Sequence, residues 1–125
     1  MTHYRGSCHC GAVQFDIETE ITELTMCDCS LCSKKNALMC TAHESGFKLL
    51  AGNDKLSLYQ WNTGVARHTF CKVCGVKPFY TPRSNPEGVD VNVRCLDTKP
   101  KSLTIEPFDG RNWEQNAASL KHLSD

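Results

Sequence analysis

The sequence has no excess charge of either sign. Lys plus Arg and Asp plus Glu each total 14 of its 125 residues, and no basic block stands out. The long-range electrostatic footprint of a nucleic-acid binder is therefore missing, so DNA and RNA are not expected partners. No stretch approaches the roughly 20 apolar residues of a membrane span, and Met1-Thr2-His3-Tyr4-Arg5-Gly6 lacks the apolar run of a signal peptide. These absences predict a soluble cytoplasmic protein with no membrane partner. Internal repeats, low-complexity tracts and linkers are also missing, which leaves a second domain without support; residues 1–125 are expected to form a single domain. A chain of this length buries roughly two-thirds of its unfolded surface, an adequate core that a metal staple would reinforce.

Long helical patterns are scarce. Pro78, Pro82, Pro86, Pro100 and Pro107 crowd the later half and discourage them there. Asn112 to Leu123 could form a helix after the Asp109-Gly110 turn, and Ser30 to Asn36 a single turn. Short runs with period-two alternation or β-branched enrichment recur instead: 12–17, 24–26, 37–42, 47–50, 56–61, 66–70, 76–80 and 89–93. Gly52-Asn53-Asp54, Asn62-Thr63-Gly64 and the Pro-rich 81–88 segment are among the turns between them. The expectation is a mainly β, twisted antiparallel sheet fold with few short helices.

What is abundant is cysteine. Seven of nine fall in three clusters: Cys8-His9-Cys10, Cys27-Asp28-Cys29-Ser30-Leu31-Cys32 and Cys71-Lys72-Val73-Cys74-Gly75. An odd total, C-x-C spacing and no export signal favour metal over disulfides, which are rare in the reducing cytosol. Structural zinc sites combine two short Cys pairs from distant parts of a chain. Cys71-x-x-Cys74-Gly75 is one such half, its glycine suited to the positive φ that turns amides toward sulfur. Completing it from the central trio would strand one thiol and leave Cys8 and Cys10 without a role. The economical assignment is Cys8, Cys10, Cys71 and Cys74 in one closed site, closing a loop of about 60 residues.

Cys27, Cys29 and Cys32 then form a second site, giving two zinc ions per chain. Three thiolates leave one position open, the logic of catalytic zinc, and its natural guest is a thiol or thiol adduct. The competing readings are a closed structural zinc completed by His9, His43 or His68, or a set of redox thiols. Cys40 and Cys95 sit in apolar runs and read as core thiols, whereas His3 and His122 read as solvent-exposed.

The clusters resemble those of a known family. Gly6-Ser7-Cys8-His9-Cys10-Gly11-Ala12-Val13, Cys27 to Cys32 and Phe70-Cys71-Lys72-Val73-Cys74-Gly75-Val76 occur here in the order found in the glutathione-dependent formaldehyde-activating enzyme family, also called the centromere protein V family. Tyr80-Thr81-Pro82-Arg83-Ser84-Asn85-Pro86, Val91 to Asp97 and Phe108 to Glu114 extend the resemblance over roughly residues 4 to 115. It implies a zinc-stabilised β-tent fold, with Cys8, Cys10, Cys71 and Cys74 on a structural zinc and Cys27, Cys29 and Cys32 as catalytic-site ligands. The implied activity is that of a carbon–sulfur lyase on a thiol-aldehyde adduct of the S-hydroxymethylglutathione type, with glutathione as the small-molecule partner. The chain is similar to the family's short members, which lack the namesake's extra glutathione-enclosing segments.

For such an enzyme Asp28, His43 and His68 are candidate proton donors, and Lys34, Lys35, Arg67, Arg83 and Arg94 candidate holders of substrate carboxylates. The alternative function is a non-catalytic, zinc-stabilised protein-binding module, contacting its partner through the Pro82 to Pro86 loop, Trp61, Phe79 and Tyr80.

Overall fold

A computed structural model of the chain describes residues 2–21, 23–27, 30–31, 34, 38–98 and 104–124, with the side chains of 26, 27 and 104–107 outside that set. Among the described residues ten strands run in chain order: β1 (Thr2–Ser7), β2 (Gln14–Thr19), β3 (Glu23–Cys27), β4 (Met39–His43), β5 (Phe47–Ala51), β6 (Leu56–Tyr59), β7 (His68–Cys71), β8 (Phe79–Tyr80), β9 (Gly88–Asn92) and β10 (Thr104–Phe108). They form a three-stranded sheet, β1-β2-β5, a five-stranded sheet, β10-β3-β4-β9-β8, and a β6-β7 hairpin. The mainly β reading holds. All pairings are antiparallel except β10 with β3.

Two strands have no counterpart in the expected runs, and each has a physical reason. In β1 the inward positions are Tyr4 and Gly6, so half of its buried face carries no side chain to register as apolar. Gly6 is required there, because a Cβ would lie 2.5 Å from the Phe15 ring and 2.8 Å from the Cys95 carbonyl. β10 contains Pro107, which argues against a central strand; it lies at the edge of its sheet, where proline is tolerated.

The expected helix over 112–123 is mostly 3₁₀. A single α-helical turn, α1 (Trp113–Asn116), lies between 3₁₀ segments Gly110–Asn112 and Ala117–Ser124. Tertiary hydrogen bonds hold this segment: buried Asn85 donates through Nδ2 to the Leu120 carbonyl (3.1 Å), the Lys121 carbonyl (3.3 Å) and Ser124 Oγ (2.8 Å). A side chain from another loop thereby satisfies carbonyls near the chain end. Of the expected turn at 30–36, most lies outside the described residues; Lys34 N donates to the Leu31 carbonyl at 3.1 Å.

The core lies between the two larger sheets. Phe15 and Phe47 of the three-stranded sheet meet Phe79 of the five-stranded sheet at centroid distances of 5.8 and 4.6 Å. Val89, Val91, Cys40 and Ala42 are buried in the same cluster. Strand alternation sends the intervening residues to the sheet's other face. Thr41 on β4 pairs with Asp90 on β9, which pairs with Tyr80 on β8, so these three form one transverse row away from the core.

Candidate metal centre and the adjoining cleft

Two turns of matching construction present the four outer cysteines. Cys8 N donates to the Val13 carbonyl (3.0 Å) and Gly11 N to the Cys8 carbonyl (3.3 Å); correspondingly, Cys71 N donates to the Val76 carbonyl (2.9 Å) and Gly75 N to the Cys71 carbonyl (2.8 Å). Both glycines take left-handed backbone, with φ of 81° at Gly11 and 80° at Gly75. That conformation folds each turn so that its amides and its two sulfurs face the same side.

The four Sγ atoms lie within 4.8 Å of one another. The Cys8–Cys10 and Cys10–Cys71 sulfurs are 3.6 and 3.7 Å apart. A zinc–sulfur bond of about 2.3 Å in a tetrahedron requires sulfur–sulfur edges of about 3.8 Å, so the donor set fits a tetrahedral zinc. Their electrostatics agree. Amides of Cys10 and Val76 draw the Cys74 thiol down to about 6, and those of Cys74 and Val73 lower Cys71. Cys10 also receives an amide, from Ala12, yet desolvation and the adjacent thiols push it up to about 11. Sulfurs this close compete for protons, and a divalent cation removes the competition by stabilising every thiolate.

The trio is placed less completely. Cys27 ends β3 with its backbone opposite Phe108, while its side chain and all of Cys29 and Cys32 lie outside the described residues. Thr25 and Ser30, which bracket 27–29, both line a cleft of about 480 Å³. Its walls carry Trp61, Phe108 and Trp113, and its floor includes the row Thr41, Asp90 and Tyr80 together with His68.

That floor is a connected polar network beneath apolar walls. Thr41 Oγ1 donates to Asp90 Oδ1 at 2.6 Å, and Tyr80 hydrogen-bonds to the same carboxyl group. Lys77 Nζ, buried, lies 2.8 Å from His68 Nδ1 and 3.8 Å from the Tyr80 ring centroid, and the His68 and Tyr80 rings stack at 4.9 Å. An ammonium group has only donors, so Nδ1 accepts and the proton of a neutral His68 ring sits on Nε2. Asp90 is 5% exposed; burial raises its carboxyl to about 6, against the opposing pull of Thr41, Tyr80 and the Lys77 charge.

Of the candidate proton donors, His68 lines the cleft, whereas His43 accepts from Ser45 N at 3.1 Å in a separate turn and Asp28 is outside the described residues. Asp90 and Tyr80 were not expected as chemical groups. Val89-Asp90-Val91-Asn92-Val93 reads as a half-exposed strand with polar residues facing water, whereas every residue of β9, Asp90 included, is buried.

Among the basic candidates, Arg83 lines the cleft, bonded to Glu114 Oε1 at 2.7 Å and stacked on Trp113 at 3.9 Å. Arg67 bridges Thr81 through its backbone, Arg94 and Lys34 are exposed away from the cleft lining, and Lys35 is outside the described residues. Phe79 and Tyr80 are each 8% exposed, so the contact surface expected of a binding module loses two of its three aromatics; Trp61 stays 40% exposed. Cys40 is buried as expected, its thiol pushed up to about 12 by burial and then by Asp90, while Cys95 is half-buried. His3 and His122 are exposed, beside acidic neighbours.

No helix among the described residues is long and apolar enough to cross a membrane. A crystal structure of a Rhodobacter sphaeroides protein matches this fold with a TM-score of 0.72 at 36% sequence identity, over 80% of this chain and 99% of that one. The family model of the glutathione-dependent formaldehyde-activating enzyme matches residues 3–109, which include all three cysteine clusters. On a match of that extent, together with a four-cysteine cluster able to hold a metal, the chain belongs to the glutathione-dependent formaldehyde-activating enzyme family.

Proposed function

We propose that the protein is a zinc-dependent carbon–sulfur lyase acting on a thiol-aldehyde adduct of the S-hydroxymethylglutathione type, as one zinc-binding domain of the cytoplasm. Cys8, Cys10, Cys71 and Cys74 hold a structural zinc, and Cys27, Cys29 and Cys32 hold a second that leaves a position for substrate. When bound there, zinc lowers the pKa of a substrate thiol and keeps it as a nucleophilic thiolate. The observation that carries this reading is the cleft: Thr25 and Ser30, on either side of 27–29 in the sequence, both line a partly open, largely apolar space above buried polar groups, suited to the carbon substituent of a thiol.

The chain's own residues then have distinct tasks. Trp61, Phe108 and Trp113 exclude water from the reacting carbon, and Arg83, fixed by Glu114 and Trp113, offers a positioned cation at the rim. Glutathione and formaldehyde are the substrates to test first. In zinc-loaded protein, exchange between free glutathione and its hydroxymethyl adduct, followed by NMR, should exceed the uncatalysed rate and return to it in Cys32→Ser. Equal rates with and without the native protein would refute the reading for this adduct.

A further inference from the structure

Of the expected proton donors His68 lines the cleft, but its Nδ1 is held by Lys77 at 2.8 Å, and the adduct's oxygen needs a group that both takes and returns a proton. When the thiolate sulfur attacks the aldehyde carbon, the carbonyl π pair moves onto oxygen, which must gain a proton; in the reverse direction the hydroxyl loses that proton as the carbon–sulfur pair returns to sulfur. The proton lost by the incoming thiol equals the one gained by oxygen, so one group cycling between base and acid balances the reaction. No oxidant or reductant is needed.

We propose, resting on that reading, that Asp90 is this group, receiving the proton as carboxylate and delivering it as carboxylic acid from the cleft floor. The geometry supports it in three ways. Asp90 lies in the transverse row with Thr41 and Tyr80, all three lining the cleft. Its carboxyl is oriented by two hydroxyl groups, Thr41 at 2.6 Å and Tyr80. Lys77 then fixes the surroundings: its ammonium bonds the stacked His68 ring and faces the Tyr80 ring, and its carbonyl accepts from Asn92 Nδ2 at 3.0 Å, two residues beyond Asp90. Thr41, Tyr80, His68 and Lys77 are positioning residues in this scheme.

The titratable groups around Asp90 are Tyr80 from β8, Lys77 just before it, Cys40 from β4 and, beyond Lys77, His68 from β7. Burial brings Asp90 to about 6, where both protonation states are accessible near neutrality, as acid–base cycling requires. An acid held only for packing would have no need to face a cleft.

The test is the pH dependence of kcat/KM for adduct breakdown by zinc-loaded protein, in which ionised Asp90 takes the hydroxyl proton. The native profile should rise through a limb near pH 6. Asp90→Asn should abolish that limb and lower kcat/KM by about 100-fold or more, with zinc content unchanged. Thr41→Val should keep the limb but move it to higher pH, because it removes a hydrogen bond that favours the carboxylate; this arm decides the matter if Asp90→Asn fails to fold. An active native enzyme whose limb survives in Asp90→Asn, or stays fixed in Thr41→Val, overturns the Asp90 assignment alone. A native enzyme no faster than background overturns the lyase reading, and this assignment with it.

Discussion

Asp90 should cost the folded protein stability at neutral pH. Burial raises its carboxyl from 3.8 to about 6, so the folded state binds this proton more tightly than the unfolded state. The associated stability is fully present below about pH 4 and is lost as pH rises through about 6. A difference of about 2 pH units corresponds to about 3 kcal/mol, a large fraction of a small domain's net stability. Asp90→Asn removes the titration while keeping an oxygen to accept from Thr41. Denaturant unfolding of both proteins between pH 4 and 8 gives the contrast directly, and subtracting one curve from the other cancels the cysteine and histidine titrations they share. The variant should gain on the native protein with rising pH, by about 2.5 kcal/mol at pH 8 relative to pH 4, where the unfolded carboxyl is already partly ionised. Parallel curves would refute the reasoning, because they would mean that Asp90 titrates alike in both states. Together with lost catalysis, a gain would mark Asp90 as a residue retained at the expense of stability.

Three further outcomes follow from the packing. Phe15→Ala removes the fully buried ring that meets Phe47 and Phe79, and should lower unfolding free energy by about 3–5 kcal/mol. Asn85→Ala strips three hydrogen bonds from the C-terminal segment; hydrogen exchange at 117–124 should quicken and stability fall by about 2–3 kcal/mol, while the Phe15 core stays protected. If the four-cysteine cluster holds zinc, Cys74→Ser should lose it and unfold at markedly lower temperature, and a strong chelator should destabilise the native protein in the same way.

Much of the fold was legible because its signals are local. Runs at 12–17, 47–50, 56–61 and 89–93 correspond to β2, β5, β6 and β9 within a few residues at each end, since alternation of apolar residues survives in the sequence. The Cys71–Gly75 turn was legible for the same reason, with its two cysteines and glycine within five positions, whereas the matching role of Gly11 emerges only from its backbone. β1 and β10 escaped because Gly6 and Pro107 look like strand breakers until a close ring contact and a sheet edge explain them. The C-terminal segment reads as helix locally, but its carbonyls answer to Asn85, some 35 residues away. Asp90 escaped for a related reason. Its alternation is that of an exposed strand face, and the cleft it faces is also lined by Trp61 and Trp113, which come from distant parts of the chain. Burial of a polar face is a tertiary property, and that is where the candidate chemistry lies.

The central claim is the division of the cysteines into a closed set of four and an open set of three. Zinc counted per chain by metal analysis, in the native protein and in Cys32→Ser, tests it most directly. Two zinc ions are expected in the native protein and one in Cys32→Ser, with its thermal unfolding still cooperative. A single zinc in the native protein, or a Cys32→Ser protein that unfolds as readily as Cys74→Ser, would contradict it.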